Sequence, residues 1–499
     1  MKKTVLLWYI FFVYTSCCAD NHGIGFPFWK AQEPKHNDFY SQSFMFTRPI
    51  YQNIAAQNAA FWHDAVYNKQ GCELVSVQSM PLYQHSLHSK ATTRYFLFNG
   101  KTALTVKGDA VVQNNNERDV RAEWINLPAT FNGIFSLEPR QRQAGLWLEV
   151  NQDVKKFSDH TFLQAIWVAL ALPLQYVENK INPRQELLSL KTEQFPATII
   201  QALNAPNLIY GKINPQAHRK FSIPEIYLKI GNSYLQHHGF QLGFYGGAIL
   251  ATTGKQNPAY MFDSFLGHNK HFGFLCGMNA QLPFNTDTHA KIIALIVSIE
   301  NQFFLRNFQR RTFDLRFKPW SRYLLLNKND GVMNIPATTI LTPKCKVQPF
   351  NFFDLTAGIR VQVACAELAC GYNLWGHGDE QIELAQPFIP EYGIAGDGTL
   401  VPGTNIGATA SASTINAQAA IDRDAQGDPT FVPLHDYDLD FDSAAARKAL
   451  AHRVFFTLGA RADYKTVEFF GGFGMYVELP HNNSALRTWG IWAKGGGSF

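Results

Sequence analysis

The chain ends on RTWGIWAKGGGSF, Arg487 to Phe499, and the side chains of this stretch alternate in character. Phe499, Gly497, Gly495, Ala493, Ile491 and Trp489 share one parity, and none is polar. Ser498, Gly496, Lys494, Trp492, Gly490 and Thr488 share the other. Successive side chains of a β-strand point to opposite faces, so the segment is a strand with one apolar and one mixed face. The same pattern recurs upstream. In RVFFTLGARADY, Val454, Phe456, Leu458, Ala460, Ala462 and Tyr464 oppose Arg453, Thr457, Arg461 and Asp463. In TVEFFGGFGMYVELP, Val467 to Leu479 at alternate positions oppose Glu468, Tyr476 and Glu478. In HFGFLCGMNAQLPF, Phe272 to Phe284 at alternate positions oppose Gly273, Gly277, Asn279 and Gln281. Such runs are long for an ordinary sheet.

What covers the apolar faces decides the fold class. A soluble sandwich also alternates, but three features favour lipid. Trp489 to Phe499 spans roughly 33 Å of strand, or about 25 Å along the membrane normal when tilted about 40°, the height of the apolar band of an outer-membrane barrel. Aromatic residues stand where the strands should end, as interface girdles do: Trp489, Phe499, Tyr464, Phe284, Tyr234 and Tyr176. The opposite faces carry Lys, Arg, Glu, Asn and Gly, which a hydrated lumen accepts and a dry core does not. The longest apolar runs past the N-terminus, Ile166–Leu174 and Ile292–Ile299, are too short for a spanning helix but fit a spanning strand.

The expected fold is therefore all-β, a transmembrane antiparallel barrel. Strands are expected near 138–152, 163–178, 225–234, 239–252, 270–284, 289–304, 353–365, 367–376, 453–464, 466–479 and 487–499. Closure calls for an even number, which ELVSVQSMPLYQHS (Glu73–Ser86) supplies as a twelfth; RYFLFNGKTALTV is a competing or additional strand, with fourteen as the alternative. In GIRVQVACAELACGYNLWG the alternation slips phase. A bulge or a tight hairpin near Cys365–Glu367 explains this, and only the hairpin keeps every long loop on one side. Short turns are then expected at Asp463–Thr466, Asn285–Thr288, Leu235–His238 and near Lys155–His160. Long extracellular loops follow at about 180–224, 253–268, 305–352, 377–451 and 480–486. Helix-like text occurs within them at Arg184–Leu203 and Asp442–Leu450, and the Gly/Ala/Ser/Thr-rich stretch 403–430 is expected to be mobile.

The N-terminus is organised differently. Residues 1–19 have the form of a signal peptide: Met1-Lys2-Lys3, an apolar core Val5–Tyr14, and TSCCAD with cleavage after Ala19. Lipidation at Cys17 or Cys18 is the variant reading. Residues 20–72 form an N-terminal segment with a helix near Pro49–Asn68, carrying Ile54, Ala55, Asn58, Phe61, Trp62, Ala65 and Val66 at helical spacing. It is a possible plug or cap of the barrel 73–499. The cysteines beyond the signal, Cys72, Cys276, Cys345, Cys365 and Cys370, are odd in number and scattered, and form neither a disulfide framework nor a zinc site; Cys276 and Cys370 suit small buried apolar positions.

Chemistry is sparse. GxSxG, HExxH and P-loop spacings do not occur. HDYDLDFD holds Asp436, Asp438, Asp440 and Asp442 at alternate positions, but Phe441 and Arg447 break the EF-hand pattern, which leaves a solvated acidic loop. His377, Asp379 and Glu380 in WGHGDE suit a polar strand exit. Neither an enzyme activity nor a cofactor nor a metal is expected. The balance of +5 without a Lys/Arg block predicts no nucleic-acid partner. The expected pore-lining residues are Glu149, Asn279, Gln281, Glu300, Arg453, Arg461, Glu468, Glu478 and Lys494, which mix both charges.

FTRPIYQN (Phe46–Asn53), QRRTFDLRFKPWSRYLLL (Gln309–Leu326), CGYNLWG (Cys370–Gly376) and WGIWAKGGGSF resemble motifs of a porin-like outer-membrane β-barrel family of host-associated Gram-negative bacteria, over most of the mature chain. The resemblance implies the barrel and its location in the bacterial outer membrane, and carries over no functional residues. The strand ending at Phe499 also resembles the C-terminal signal by which outer-membrane barrels reach the barrel-assembly machinery. The expected function is a narrow or gated porin-like channel for passive passage of small solutes, with outer-membrane lipid around it, since twelve strands lie between filled eight-stranded barrels and open sixteen-stranded porins. The alternative is a surface-exposed binding or adhesion protein acting through its loops.

Overall fold

A computed structural model of the protein describes residues 41–67, 74–87, 90–154, 166–188, 195–237, 240–284 and 291–499. The expected signal peptide, Cys17, Cys18, Cys72, Asn68, the side chain of Tyr234 and the turns at Lys155–His160 and Asn285–Thr288 lie outside them. The barrel strands are β1 Val75–Ser86, β2 Arg140–Asp153, β3 Ile166–Lys180, β4 Glu225–His237, β5 Phe240–Ala251 and β6 Gly273–Pro283. They continue with β7 Lys291–Phe304, β8 Phe352–Val363, β9 Ala366–His377, β10 Ala449–Tyr464, β11 Val467–Pro480 and β12 Thr488–Ser498. Each pairs antiparallel with its chain neighbours, and β1 pairs with β12, so the sheet closes. Closure satisfies both edges of every strand, as strands in hydrocarbon require.

The alternation sets the two faces. Val454, Phe473 and Met475 are 64%, 52% and 53% exposed, while Arg453 between such positions is fully buried. Cys276 and Cys370 belong to the outward, exposed set rather than to a buried one, because the apolar parity they share faces away from the barrel interior. The hairpin between β8 and β9 turns on Ala364 and Cys365, with Val363 opposite Ala366 and Ala364 at a left-handed φ of 50°. The phase slip in the sequence is this hairpin. A second tight turn, Lys465–Thr466, joins β10 to β11. The β3–β4 seam is split: Ile166–Ala171 of β3 pair with β4, and Gln175–Asn179 pair with a short strand His218–Ser222. Pro173, which has no N–H for a ladder, falls in the gap between the two.

The long connections all leave one end and are not simple loops. They build four small sheets and share an apolar core, a folded cap. Trp320, 1% exposed, packs against Phe98, Phe135 and Tyr323, and its Nε1 donates to the Phe96 carbonyl at 2.9 Å. RYFLFNGKTALTV belongs here as the helix Lys90–Phe96 and the strand Ala103–Lys107, so the barrel has twelve strands and not fourteen. The helix expected over Arg184–Leu203 is replaced by a strand at Pro183–Leu187 and a single turn at Ile199–Ala202. At Asp442–Leu450 only Phe441–Ala444 is helical, and Ala449 already belongs to β10. Part of 403–430 is packed rather than loose: Gly407–Thr409 forms a strand, and Ala408, Ala410, Ser413 and Ile415 are buried. Small residues fit where Ala408 and Ala410 meet other backbones, so composition alone misleads there.

Candidate functional site

The barrel interior is occupied by the chain's own residues 46–67, while the preceding Ser41, Ser43 and Met45 meet the cap. The continuous helix expected over Pro49–Asn68 is two short ones, α1 Ile54–Asn58 and α2 Trp62–Tyr67. Between them Ala60 and Phe61 take φ of 51° and 63°, which costs about 1–2 kcal/mol per residue for side chains larger than Gly. The wall supplies the compensation. The Glu367 carboxylate of β9 accepts the Ala60 and Phe61 N–H groups at 2.7 and 3.0 Å. The Lys494 ammonium of β12 donates to the Gln57 and Ala59 carbonyls at 2.6 and 2.9 Å. These are charge-assisted bonds to backbone groups that a helix break leaves orphaned.

A charged belt holds the entry of the segment. Arg48 donates through Nη1 to Glu478 at 2.7 Å and to Asn373 at 3.1 Å, and pairs through Nη2 with Asp354. Arg453 joins Glu478 from the other side at 2.8 Å and lies 3.9 Å from the Tyr476 ring centroid. A second belt forms where Arg360 of β8 pairs with Asp64 of α2 and with Glu367. Between the belts, the Tyr51 hydroxyl donates to Glu225, which also takes His268 Nδ1 and the Tyr227 hydroxyl. Asn58 donates to Asn279 and Ser298, and Gln52 to Gln302. Rings of Trp147, Trp167, Tyr245, Phe455, Phe470 and Trp492 fill the remaining width around Phe61, Trp62 and Tyr67.

The wall is shaped to this segment. A Cβ added at Gly459 would stand 2.8 Å from the Ala60 Cα, and one at Gly243 would stand 2.5 Å from the Tyr67 ring. Both contacts are closer than real side chains approach, so these inward positions are glycine because the segment lies against the sheet. Interior cavities such as those beside Asn58 have room for about one water each.

The sequence-derived interior residues divide by partner. Asn279, Lys494 and Glu478 bind the segment directly, Glu478 at Arg48, while Arg453 reaches it through Glu478. Gln281 accepts from Arg360, whose other nitrogen holds Asp64. Glu149 takes Gln78 and the Trp147 indole, and Glu300 takes Tyr245 and Gln302. Arg461 is half-buried, pairs with Glu468 at 3.7 Å and lies 5.1 Å from the Phe61 ring. All nine face inward, yet most are dry and partnered instead of lining open water. Glu225, Asp354, Arg360 and Glu367 were legible by the same parity and were missed; Arg48 and Asp64 carry no strand signal that marks them.

The other clusters have structural partners. Glu380 accepts from Arg311 and from the Ala446 N–H, Asp379 accepts from the Lys448 N–H, and His377 packs among Phe46, Phe352 and Trp375. The alternate aspartates do not line one extended face: Asp436–Asp438 form a 3-10 turn, and Asp440 caps the next helical turn. Among the described residues no group of three or more His, Cys, Asp or Glu side chains is arranged to hold a metal.

No family model matches the chain, and no curated protein matches it. Among solved structures, an outer membrane channel from Pseudomonas putida F1 is similar at 8% identity, covering 86% of this chain and 97% of that one, with a TM-score of 0.37. A FadL homologue from Pseudomonas aeruginosa is 8% identical over 92% and 99% of the two chains, with a TM-score of 0.30. A toluene transporter from Ralstonia pickettii is 10% identical over 93% and 98%, with a TM-score of 0.26. The fold assignment rests on the strand pairing itself.

Proposed function

We propose that the protein is a gated channel of the bacterial outer membrane, for small solutes, closed in this conformation by residues 46–67. The observation that carries the reading is the polarity of the interface between segment and wall. A permanent core favours apolar contacts, since burying ion pairs repays its desolvation cost only with excellent geometry. Here the segment meets Asp354, Glu478, Arg360, Glu367 and Lys494. These are groups that water solvates readily once the segment leaves. The nine inward residues named from the sequence then become pore-lining, with both signs of charge. The signal peptide, the family resemblance to host-associated Gram-negative bacteria and the assembly signal ending at Phe499 belong to the same reading.

Planar-bilayer recording tests it. The unmodified chain should give rare conductance steps, and Arg48→Ala should make them more frequent, because it leaves Asp354 and Glu478 without that partner. Silence of both proteins at every voltage refutes the channel. The second reading, a surface-binding protein, is favoured by one observation: the long connections form a cap with its own apolar core, a rigid platform on which a binding face can be built.

A further inference from the structure

A cleft on the outer surface of the barrel, at the cap end, carries a charge imbalance that the fold does not use. It lies across β2, β3 and the short strand His218–Ser222 and holds about 280 Å³ of open space, where the interior cavities have room for about one water. Arg140, Arg142, Lys180 and Arg219 line it, all exposed, with Glu178 as its one carboxylate. Four cations against one carboxylate leave an excess of three positive charges. Glu178 is already shared: it accepts from Arg219 Nε at 2.6 Å and from the Tyr176 hydroxyl at 3.2 Å, and Arg142 lies 3.9 Å away. In the β2–β3 ladder Arg140 stands directly opposite Lys180. Like charges so placed destabilise a sheet, and packing gives no reason to set two exposed cations face to face.

The strands place this cleft at the level of lipid headgroups. Arg140 and Arg142 share the outward parity of Leu148 and Val150, and Glu178 and Lys180 share that of Val168 and Leu170. The four apolar residues are exposed on the lipid-facing surface. Tyr176 follows the apolar run on β3, and Phe221, 67% exposed, stands opposite it. Aromatic side chains mark the boundary between hydrocarbon and headgroups, and the charged residues of β3 begin just beyond Tyr176. Acyl chains lying on the apolar stripe therefore bring their headgroup to the cleft.

We propose that the cleft holds the phosphomonoester headgroup of a lipid in the leaflet at the cap end. A phosphomonoester carries about −1.5 to −2 charges at pH 7, against a single charge for a diester, and so matches the excess better. Arg140, Arg142 and Arg219 offer planar forks to its oxygens and Lys180 a compact charge. The acyl chains cover Leu148, Val150, Val168 and Leu170. A free anion gains no such apolar contact, which is why the lipid is the occupant. The proposal rests on the barrel in its membrane and not on the channel reading.

Native mass spectrometry of the full chain in non-ionic detergent, titrated with dioleoyl phosphatidic acid, dioleoyl phosphatidylglycerol or inorganic phosphate, tests it. The unmodified chain should retain phosphatidic acid at least about tenfold more tightly than phosphatidylglycerol, the effect of one charge-assisted contact. Arg140→Gln with Lys180→Gln should abolish that preference. These two side chains are exposed like charges, and Glu138 keeps Arg184 at 2.7 Å, so the variant folds, which its heat-dependent gel mobility checks. The matched loss of two charges elsewhere, Arg423→Gln on an exposed turn of the cap with Lys465→Gln at the other end of the barrel, should leave the preference intact. Equal retention of the two lipids by the unmodified chain, or equal loss in the two variants, overturns the site. Inorganic phosphate bound as tightly as phosphatidic acid overturns it too, since the cleft then takes a free ion.

Discussion

The barrel interior and the cap are both filled with protein, yet they are filled in opposite ways. The cap core is Leu, Phe, Ile and Trp contributed by every long connection, with the buried Arg322–Asp314 and Arg311–Glu380 pairs beside it. The interior holds the charged sets Arg48–Asp354–Glu478–Arg453 and Asp64–Arg360–Glu367, with rings between them. Apolar burial stabilises in proportion to area and without direction, whereas buried ion pairs gain little net stability and depend on geometry. The difference teaches that the cap is built to stay folded and the interior is built to hold one particular segment in one particular register.

The strongest test removes the centre of the cap. Trp320→Ala should cost about 3–5 kcal/mol and open the long connections to protease, while the barrel keeps its heat-dependent shift in gel mobility. If barrel and cap fail together, they are one cooperative unit and the contrast falls. Next in size, Gly459→Val forces a side chain against Ala60 and should cost about 1–3 kcal/mol by overpacking. Amide hydrogen exchange should rise across 54–67 and remain slow in β10 and β11, because the segment is the part able to move. Uniform loss of protection would show that segment and wall do not separate.

A pH-dependent effect is smaller and confined to the cap. Burial first, then the Asp314 and Asp442 carboxylates, push the Asp440 carboxyl up to about 6 from an ordinary 3.8. A native pKa raised above the unfolded one means the folded cap binds that proton more tightly. The stabilisation is therefore complete below about pH 4 and is lost as pH rises through about 6. Exchange in 436–445 should slow between pH 7.5 and 5 after correction for the intrinsic rate, and Asp440→Asn should abolish the difference. The smallest effect is expected at Arg423, whose exposed side chain reaches only the Gly427 carbonyl; Arg423→Ala should change thermal stability by less than about 0.5 kcal/mol.

Legibility followed sequence distance. The turn at Ala364–Cys365 and the inward parity of Glu149, Asn279, Gln281, Glu300 and Lys494 are local facts, readable from a few neighbouring residues. Arg48 meets Glu478 across 430 positions and Asp64 meets Arg360 across 296, and no local pattern marks either pair. The break in the expected helix is of the same kind. Helical spacing runs through Ala60 and Phe61, and it is Glu367 and Lys494 on the wall that hold the chain in another conformation.

By itself the sequence determined the strands, their faces and their closure, because a period of two is a property of the backbone and each strand carries its own record of which side is greasy. What occupies the barrel, and how the connections become a cap, was decided only in three dimensions. There, residues hundreds of positions apart supply the partners that buried charge and bent backbone require.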